Sequence, residues 1–332
     1  QRQMCIRDSF MGLADVVFPC FLFAVGMSIP YAIERRYAKG YSVESTLGHI
    51  LSRTFALLVM GAFITNSEFR LSPDVSYPIG VYWFLMAIGF IAVWNQYPKP
   101  SSNTQKNLFL LIKVIGVAIL LYLAFTFRNP EGGVFGAYWG ILGAIGWTYL
   151  VCTVIYLFTR DRLKYLIYAW VAFVLICLLS TPMREEFGGT AILAFPEPNF
   201  YQGMLNILHI GNGALPAFTM GGIILSIASA RFASRSNAWK MRNALMVATG
   251  LLILGILSHH CWIVSKISAT PPWVFYVTAI SVTTYTLLSY LVSHHITGWF
   301  NLIRPAGTAT LTTYLVPCLL YTSPSPRDTE RS

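Results

Sequence analysis

Gly12-Leu-Ala-Asp15-Val-Val-Phe-Pro19-Cys-Phe-Leu-Phe-Ala-Val-Gly26-Met-Ser-Ile-Pro30-Tyr-Ala-Ile33-Glu34-Arg35-Arg36 is the stretch that decides the fold class. The residues from Val16 to Ile33 carry no charge. As a helix rising about 1.5 Å per residue they cross most of a hydrocarbon core of about 30 Å. Glu34-Arg35-Arg36 is a natural stop at a headgroup surface. Asp15 therefore lies inside or at the rim of a membrane helix. There a carboxylate either faces a cavity, a partner or a substrate path, or serves as a helix-start residue at the interface. Pro19, Gly26 and Pro30 interrupt the same helix and predict close packing or a local kink.

The rest of the chain agrees with that stretch. With 332 residues, 55% of them hydrophobic and 11% charged, it is too apolar and too poor in charge for a soluble protein of its size. The expected fold is all-α, a polytopic transmembrane bundle forming one domain over residues 10–320. The net charge of +10 does not point to nucleic acid, because the basic residues sit in short clusters between apolar runs. Cys20, Cys152, Cys177, Cys261 and Cys318 lie in apolar runs with no C-x-x-C spacing and read as packing residues. Residues 1–9 and 321–332 differ in composition from their neighbours and resemble translated sequencing-adapter sequence. Both are expected to be non-native, with the natural chain beginning earlier than Phe10.

Ten spans follow from the apolar runs: 10–33, 46–66, 77–94, 107–127, 136–158, 165–181, 209–230, 243–264, 272–293 and 301–320. The linkers after spans one, three, five and seven hold twelve basic residues: Arg35, Arg36, Lys39, Lys99, Lys106, Arg160, Arg162, Lys164, Arg231, Arg235, Lys240 and Arg242. Those after two, four, six and eight hold Arg70, Arg128, Arg184 and Lys266. This bias places the first set in the cytoplasm. The longest linker, from Pro182 to about Leu208, is a candidate functional loop.

The spacing sorts the polar residues into two populations. Asp15, His209, Asn212, His259, His260 and Lys266 fall near the outer face, and His49, Arg53 and Arg304 near the inner one. A histidine of the outer set can take a proton from an amine or hydroxyl nucleophile, with a carboxylate to orient it or to hold an amine. Lys266 can stabilise developing negative charge. His49 and Arg53, one turn apart on one helix face, suit a phosphate ligand. The bland alternatives are interface anchoring for the histidines and snorkelling to anionic lipid for the arginine. No zinc spacing, Walker-type or dinucleotide glycine motif, or G-x-S-x-G elbow is present, so no metal is expected.

The segment from Gly12 to Gly26 resembles the early helix of the heparan-alpha-glucosaminide N-acetyltransferase-like membrane acyltransferases, in particular a bacterial branch. Arg53-Thr-Phe-Ala-Leu-Leu-Val-Met-Gly61, Trp139-Gly-Ile-Leu-Gly-Ala-Ile-Gly-Trp147, Lys266 and Arg304-Pro-Ala-Gly307-Thr-Ala-Thr-Leu-Thr-Thr-Tyr314 match in order. The resemblance implies eleven membrane helices, acetyl-CoA bound from the cytoplasmic side as donor, and transfer to a sugar or glycan-like acceptor outside. It implies a location in a bacterial inner membrane among its lipids, with a homodimer as an open arrangement. It matches Asp15 and Lys266 to family residues, and with His209, His259 and His260 of the outer set these are the catalytic candidates. Arg53, His49 and Arg304 become the donor-binding candidates, and Asn212 and Tyr314 the acceptor-binding ones. The family's catalytic histidine would fall near Cys5, about ten residues before Asp15, and is absent here. Ala269 and Ala309 stand where relatives carry tryptophan and asparagine, which points to a different acceptor. The competing reading is a secondary transporter for a sugar or small amphiphilic anion, whose broken helices and buried polar residues look much the same.

Overall fold

The computed structural model describes residues 11–68, 71–72, 75–95, 97–137, 139–160, 162–193 and 211–308. Ten α-helices account for most of them: α1 (Leu13–Ala38), α2 (Val43–Glu68), α3 (Ile79–Trp94), α4 (Asn103–Thr126), α5 (Gly140–Thr159), α6 (Leu163–Ser180), α7 (Ala214–Arg231), α8 (Asn237–Cys261), α9 (Pro271–Ser293) and α10 (Phe300–Thr308). The only β-pairing among the described residues is one bridge between Arg128 and Val134. Eight helices are long and apolar enough to cross a membrane, and α3 is a shorter apolar helix. The chain is a polytopic, all-α integral membrane protein.

Of the helix limits that differ from the apolar runs, two have a plain physical reason. α1 continues through Glu34-Arg35-Arg36 to Ala38, so the two arginines sit in its last turn, where cations complement the negative end of the helix dipole. α7 starts at Ala214 because Gly211 (φ 55°) and Gly213 (φ 85°) adopt left-handed backbone that an earlier start could not accommodate. Of the tenth span, α10 covers the first part and the remainder lies outside the described residues.

The chain packs as two compact units, residues 1–55 with 144–296, and residues 56–143 with 297–332. In the first, α1 crosses α7 and α8 lies along α9. The crossing depends on a glycine from each helix. A Cβ on Gly26 would fall on the backbone of Thr219, and one on Gly222 on the carbonyl of Phe23. Small residues let the two backbones touch, and the close approach buries Leu22, Phe23, Phe218 and Ile223 around it. Phe218 meets Trp273 of α9 edge to face at 5.0 Å between centroids.

In the second unit α3 packs on α4, with Phe63, Tyr82, Met86, Phe90, Leu120, Leu123 and Phe127 in its core. Asn66 is fully buried. Its amide donates to the carbonyl oxygens of Ala62 and Gly136, both at 2.7 Å, and its Oδ1 accepts from the Gly136 N–H at 3.0 Å. That clamp fixes the irregular segment before α5 without leaving a polar group unpaired.

Candidate functional site

The first unit gathers five chain segments at one end: the starts of α1, α7 and α9 and the ends of α6 and α8. Asp15 occupies the third position of α1, and its Oδ2 accepts from the Gly12 N–H at 3.0 Å, half of a capping box. Its backbone carbonyl would ordinarily accept from the N–H four residues on, but that residue is Pro19, which has none. The indole Nε1 of Trp273, in the first turn of α9, fills the gap at 3.1 Å. With main chain and Oδ2 fixed, Oδ1 stands 3.8 Å from Lys266 Nζ. Both side chains are about a third exposed, at 32% and 38%. A pair so placed contributes about 0–1 kcal/mol to stability. Its significance is chemical: a carboxylate and an ammonium held side by side and open to a ligand.

Lys266 sits in the turn between α8 and α9, which is heavily braced. Trp262 Nε1 donates to the Thr181 carbonyl at 3.0 Å, and the Ser265 N–H to Thr270 Oγ1 at 3.0 Å. Ala269 is held in the left-handed region at φ 46°. Its carbonyl accepts from Asn212 Nδ2 at 2.7 Å and from Cys177 Sγ at 3.4 Å. Asn212 also donates to Thr181 Oγ1 at 3.2 Å and accepts from the Ala214 N–H at 3.2 Å, starting α7. The amide suggested by sequence for acceptor contact is thus engaged inside the protein, where it positions the Lys266 turn. Asn212→Ala is expected to cost about 1–3 kcal/mol, read as a lowered midpoint of thermal unfolding in detergent.

Among the histidines, His259 is half-buried in the last turn of α8, with Nδ1 3.5 Å from the Tyr276 hydroxyl. The Arg184 N–H, at the start of the long linker, donates to the Cys261 carbonyl of the same turn at 2.9 Å. His260 is exposed, about 100° around the helix from His259. His209 and Tyr314 lie outside the described residues. Among the described residues no three His, Cys, Asp or Glu side chains are grouped to hold a metal ion.

A second cluster forms at the other end of α1. His49 and Arg53 are exposed on α2, with the Arg53 guanidinium 5.3 Å above the buried Tyr149 ring. Arg36, from the last turn of α1, flanks His49. It donates to the Ser45 carbonyl at 3.2 Å and hydroxyl at 3.3 Å, and stacks over Tyr41 at 4.5 Å. Its Nε is buried with no hydrogen-bond partner among the described residues. The carboxylate nearest in sequence, Glu34, bonds instead to Arg160 at 3.4 Å and Tyr156 at 3.5 Å. Two guanidinium groups and an imidazole thus share one face, which suits a polyanion. Arg304 is exposed on α10, in the second unit.

Asp15 and Arg36 are twenty-one residues apart on one helix, about 32 Å, which is close to the hydrocarbon thickness of a bilayer. Sequence reasoning missed Trp273 and Arg36. For Trp273 the signal was an aspartate four residues before a proline, which leaves a helical carbonyl in need of a donor.

Residues 9–196 match the family described as Domain of unknown function (DUF5009). The chain is similar to the heparan-alpha-glucosaminide N-acetyltransferase of Mus musculus, 31% identical over 160 residues, covering 42% of this chain and 24% of that protein. With the Homo sapiens enzyme of the same name it shares 29% identity over 154 residues, 40% of this chain and 23% of that one. The chain spans about a quarter of the length of these curated relatives. No solved structure matches.

Proposed function

Since the chain belongs to the DUF5009 family and is similar to two heparan-alpha-glucosaminide N-acetyltransferases, we propose that it is a membrane-embedded acyltransferase. In this reading it moves the acetyl group of cytoplasmic acetyl-CoA to an amine or hydroxyl of a sugar-like acceptor at the outer face. The observation that carries the reading is the polarity of α1. At one end Asp15 and Lys266 form a small, open, mixed-charge pair, and at the other Arg36 and Arg53 form a cationic face with His49 between them.

The acceptor nitrogen or oxygen attacks the thioester carbonyl, forming the new C–N or C–O bond as the C–S bond breaks. CoA leaves as a thiolate and recovers the proton that the nucleophile gives up. Asp15 holds the acceptor amine or orients the histidine that takes its proton. Lys266, held beside it, hydrogen-bonds the acceptor or the developing oxyanion. Arg53, His49 and Arg36 take the CoA phosphates, for which planar guanidinium forks are suited.

Calorimetry with acetyl-CoA on the detergent-purified protein tests this directly. Micromolar binding is expected, weakened about tenfold by Arg53→Ala, a difference of about 1.4 kcal/mol. Absence of binding up to millimolar acetyl-CoA, or an Arg53→Ala protein with unchanged affinity, overturns the donor assignment.

A further inference from the structure

A cavity of about 1090 Å³ lies within the first unit, lined by none of the candidate site residues. Its depth is apolar, walled by Phe23, Ile224, Leu225, Leu251 and Val282, whereas Ser229, Lys240, Asn243, Tyr285 and Ser289 line one end. Those polar residues come from the end of α7, the start of α8 and the end of α9, the end of the unit at which the basic 231–242 stretch joins α7 to α8. The cavity therefore runs inward from that membrane surface. Its lining extends from Asn237 to Leu251 along α8 and from Thr278 to Ser293 along α9. Each stretch is about 21–22 Å. One leaflet with its headgroups is about 20–22 Å deep, so the cavity has the length of a single lipid.

Its two ends match the two ends of such a molecule. Lys240 and Trp239 line the mouth, Arg231 and Arg235 lie in the adjoining turn, and the sequence holds no aspartate or glutamate from Pro198 to Arg327. Lys240 Nζ donates to the Ala233 carbonyl at 3.3 Å, which holds the ammonium at the rim with further N–H donors to offer. Trp239 lies 5.2 Å from the Phe232 ring and under Arg235 at 5.7 Å, an arrangement typical of a membrane interface. Deeper, the indole of Trp170 lines the cavity, and its Nε1 is buried without a hydrogen-bond partner among the described residues. A lone donor in an apolar wall calls for an acceptor from the occupant.

We infer that this cavity is a binding site for one anionic glycerophospholipid of the leaflet on the basic side. The acyl chains fill the apolar depth, an ester carbonyl accepts from Trp170, and the phosphate sits among Lys240 and its neighbouring arginines. The inference is independent of the acyltransferase reading.

Native mass spectrometry of the chain in mild detergent, followed by delipidation and rebinding, tests it. The probes are phosphatidylglycerol, phosphatidylcholine of the same chains, and inorganic phosphate. One retained phosphatidylglycerol per chain is expected, preferred over phosphatidylcholine by about tenfold. Lys240→Gln with Arg235→Gln should reduce that preference to about threefold or less. Ala228→Phe, which fills the tail space, should abolish retention. Trp170→Phe keeps the ring and removes only the donor, and it should weaken retention of both lipids alike. It also decides the matter should the Ala228 variant fail to fold. Equal retention of the two lipids overturns the inference, as does retention unaffected by Trp170→Phe, binding of phosphate alone with equal strength, or a second protein chain in place of the lipid.

Discussion

Asp15→Asn is expected to lower acetyl transfer about a hundredfold or more, the range in which a positioned acid–base group contributes, while leaving acetyl-CoA binding and thermal stability near the parent values. The side-chain oxygen of asparagine can still accept from the Gly12 N–H, and the Trp273 bond goes to the backbone, so the start of α1 keeps its geometry. What the substitution removes is the negative charge 3.8 Å from Lys266. Without it neither an acceptor ammonium nor a histidine base has its counter-charge. Lys266→Gln should also reduce turnover. The double variant should lose less than the product of the single effects, because each single change leaves the other group without its partner. The assay is thiol release from acetyl-CoA with an amine acceptor. Normal turnover by Asp15→Asn removes this carboxylate from the mechanism.

Gly222→Val should have the largest effect on the fold. The added Cβ would meet the Phe23 carbonyl and stand 2.9 Å from the Met27 nitrogen. Both are backbone atoms of α1 and cannot rotate aside. α1 and α7 must then separate, opening the packing around Leu22 and Phe218. Overpacking of this kind costs about 1–3 kcal/mol or more, and a clash with rigid backbone lies at the upper end. Gly250→Ala on α8 is the control, since nothing lies within 4 Å of its Cβ position. Removing a glycine from a helix interior there should raise stability by up to about 1 kcal/mol. Thermal unfolding in detergent reads both. A Gly222→Val protein as stable as its parent would contradict the close crossing.

The spans were legible because a helix that crosses a bilayer must be continuously apolar, and the linkers between them carry nearly all the charge. That same uniformity concealed the packing. α4 and α8 are apolar around their whole circumference, so no periodicity separates Leu123 or Leu251, which are buried, from Leu111 or Leu254, which are exposed. The Asp15 and Lys266 candidates were readable from residue type and membrane side. Their partners were not, because Trp273 meets Asp15 across 258 positions of sequence. Arg36 looked like a headgroup anchor, since a charged triplet after an apolar run gives no hint that one of its members turns back toward α2. Asn212 was noticed for its polarity, whereas the acceptors that occupy it, two main-chain carbonyls and the Thr181 hydroxyl, have no signature in the sequence.

The bond between Trp273 and the Asp15 carbonyl also bears on biosynthesis. Pro19 denies α1 one of its own hydrogen bonds, and the donor that replaces it arrives only with α9, 258 positions later in the chain. Until then water or lipid headgroups must serve that carbonyl, since an unsatisfied backbone group in hydrocarbon costs several kcal/mol. α1 is therefore completed by a helix made long after it. The carboxylate at its start takes up its final setting only once α9 has packed against it.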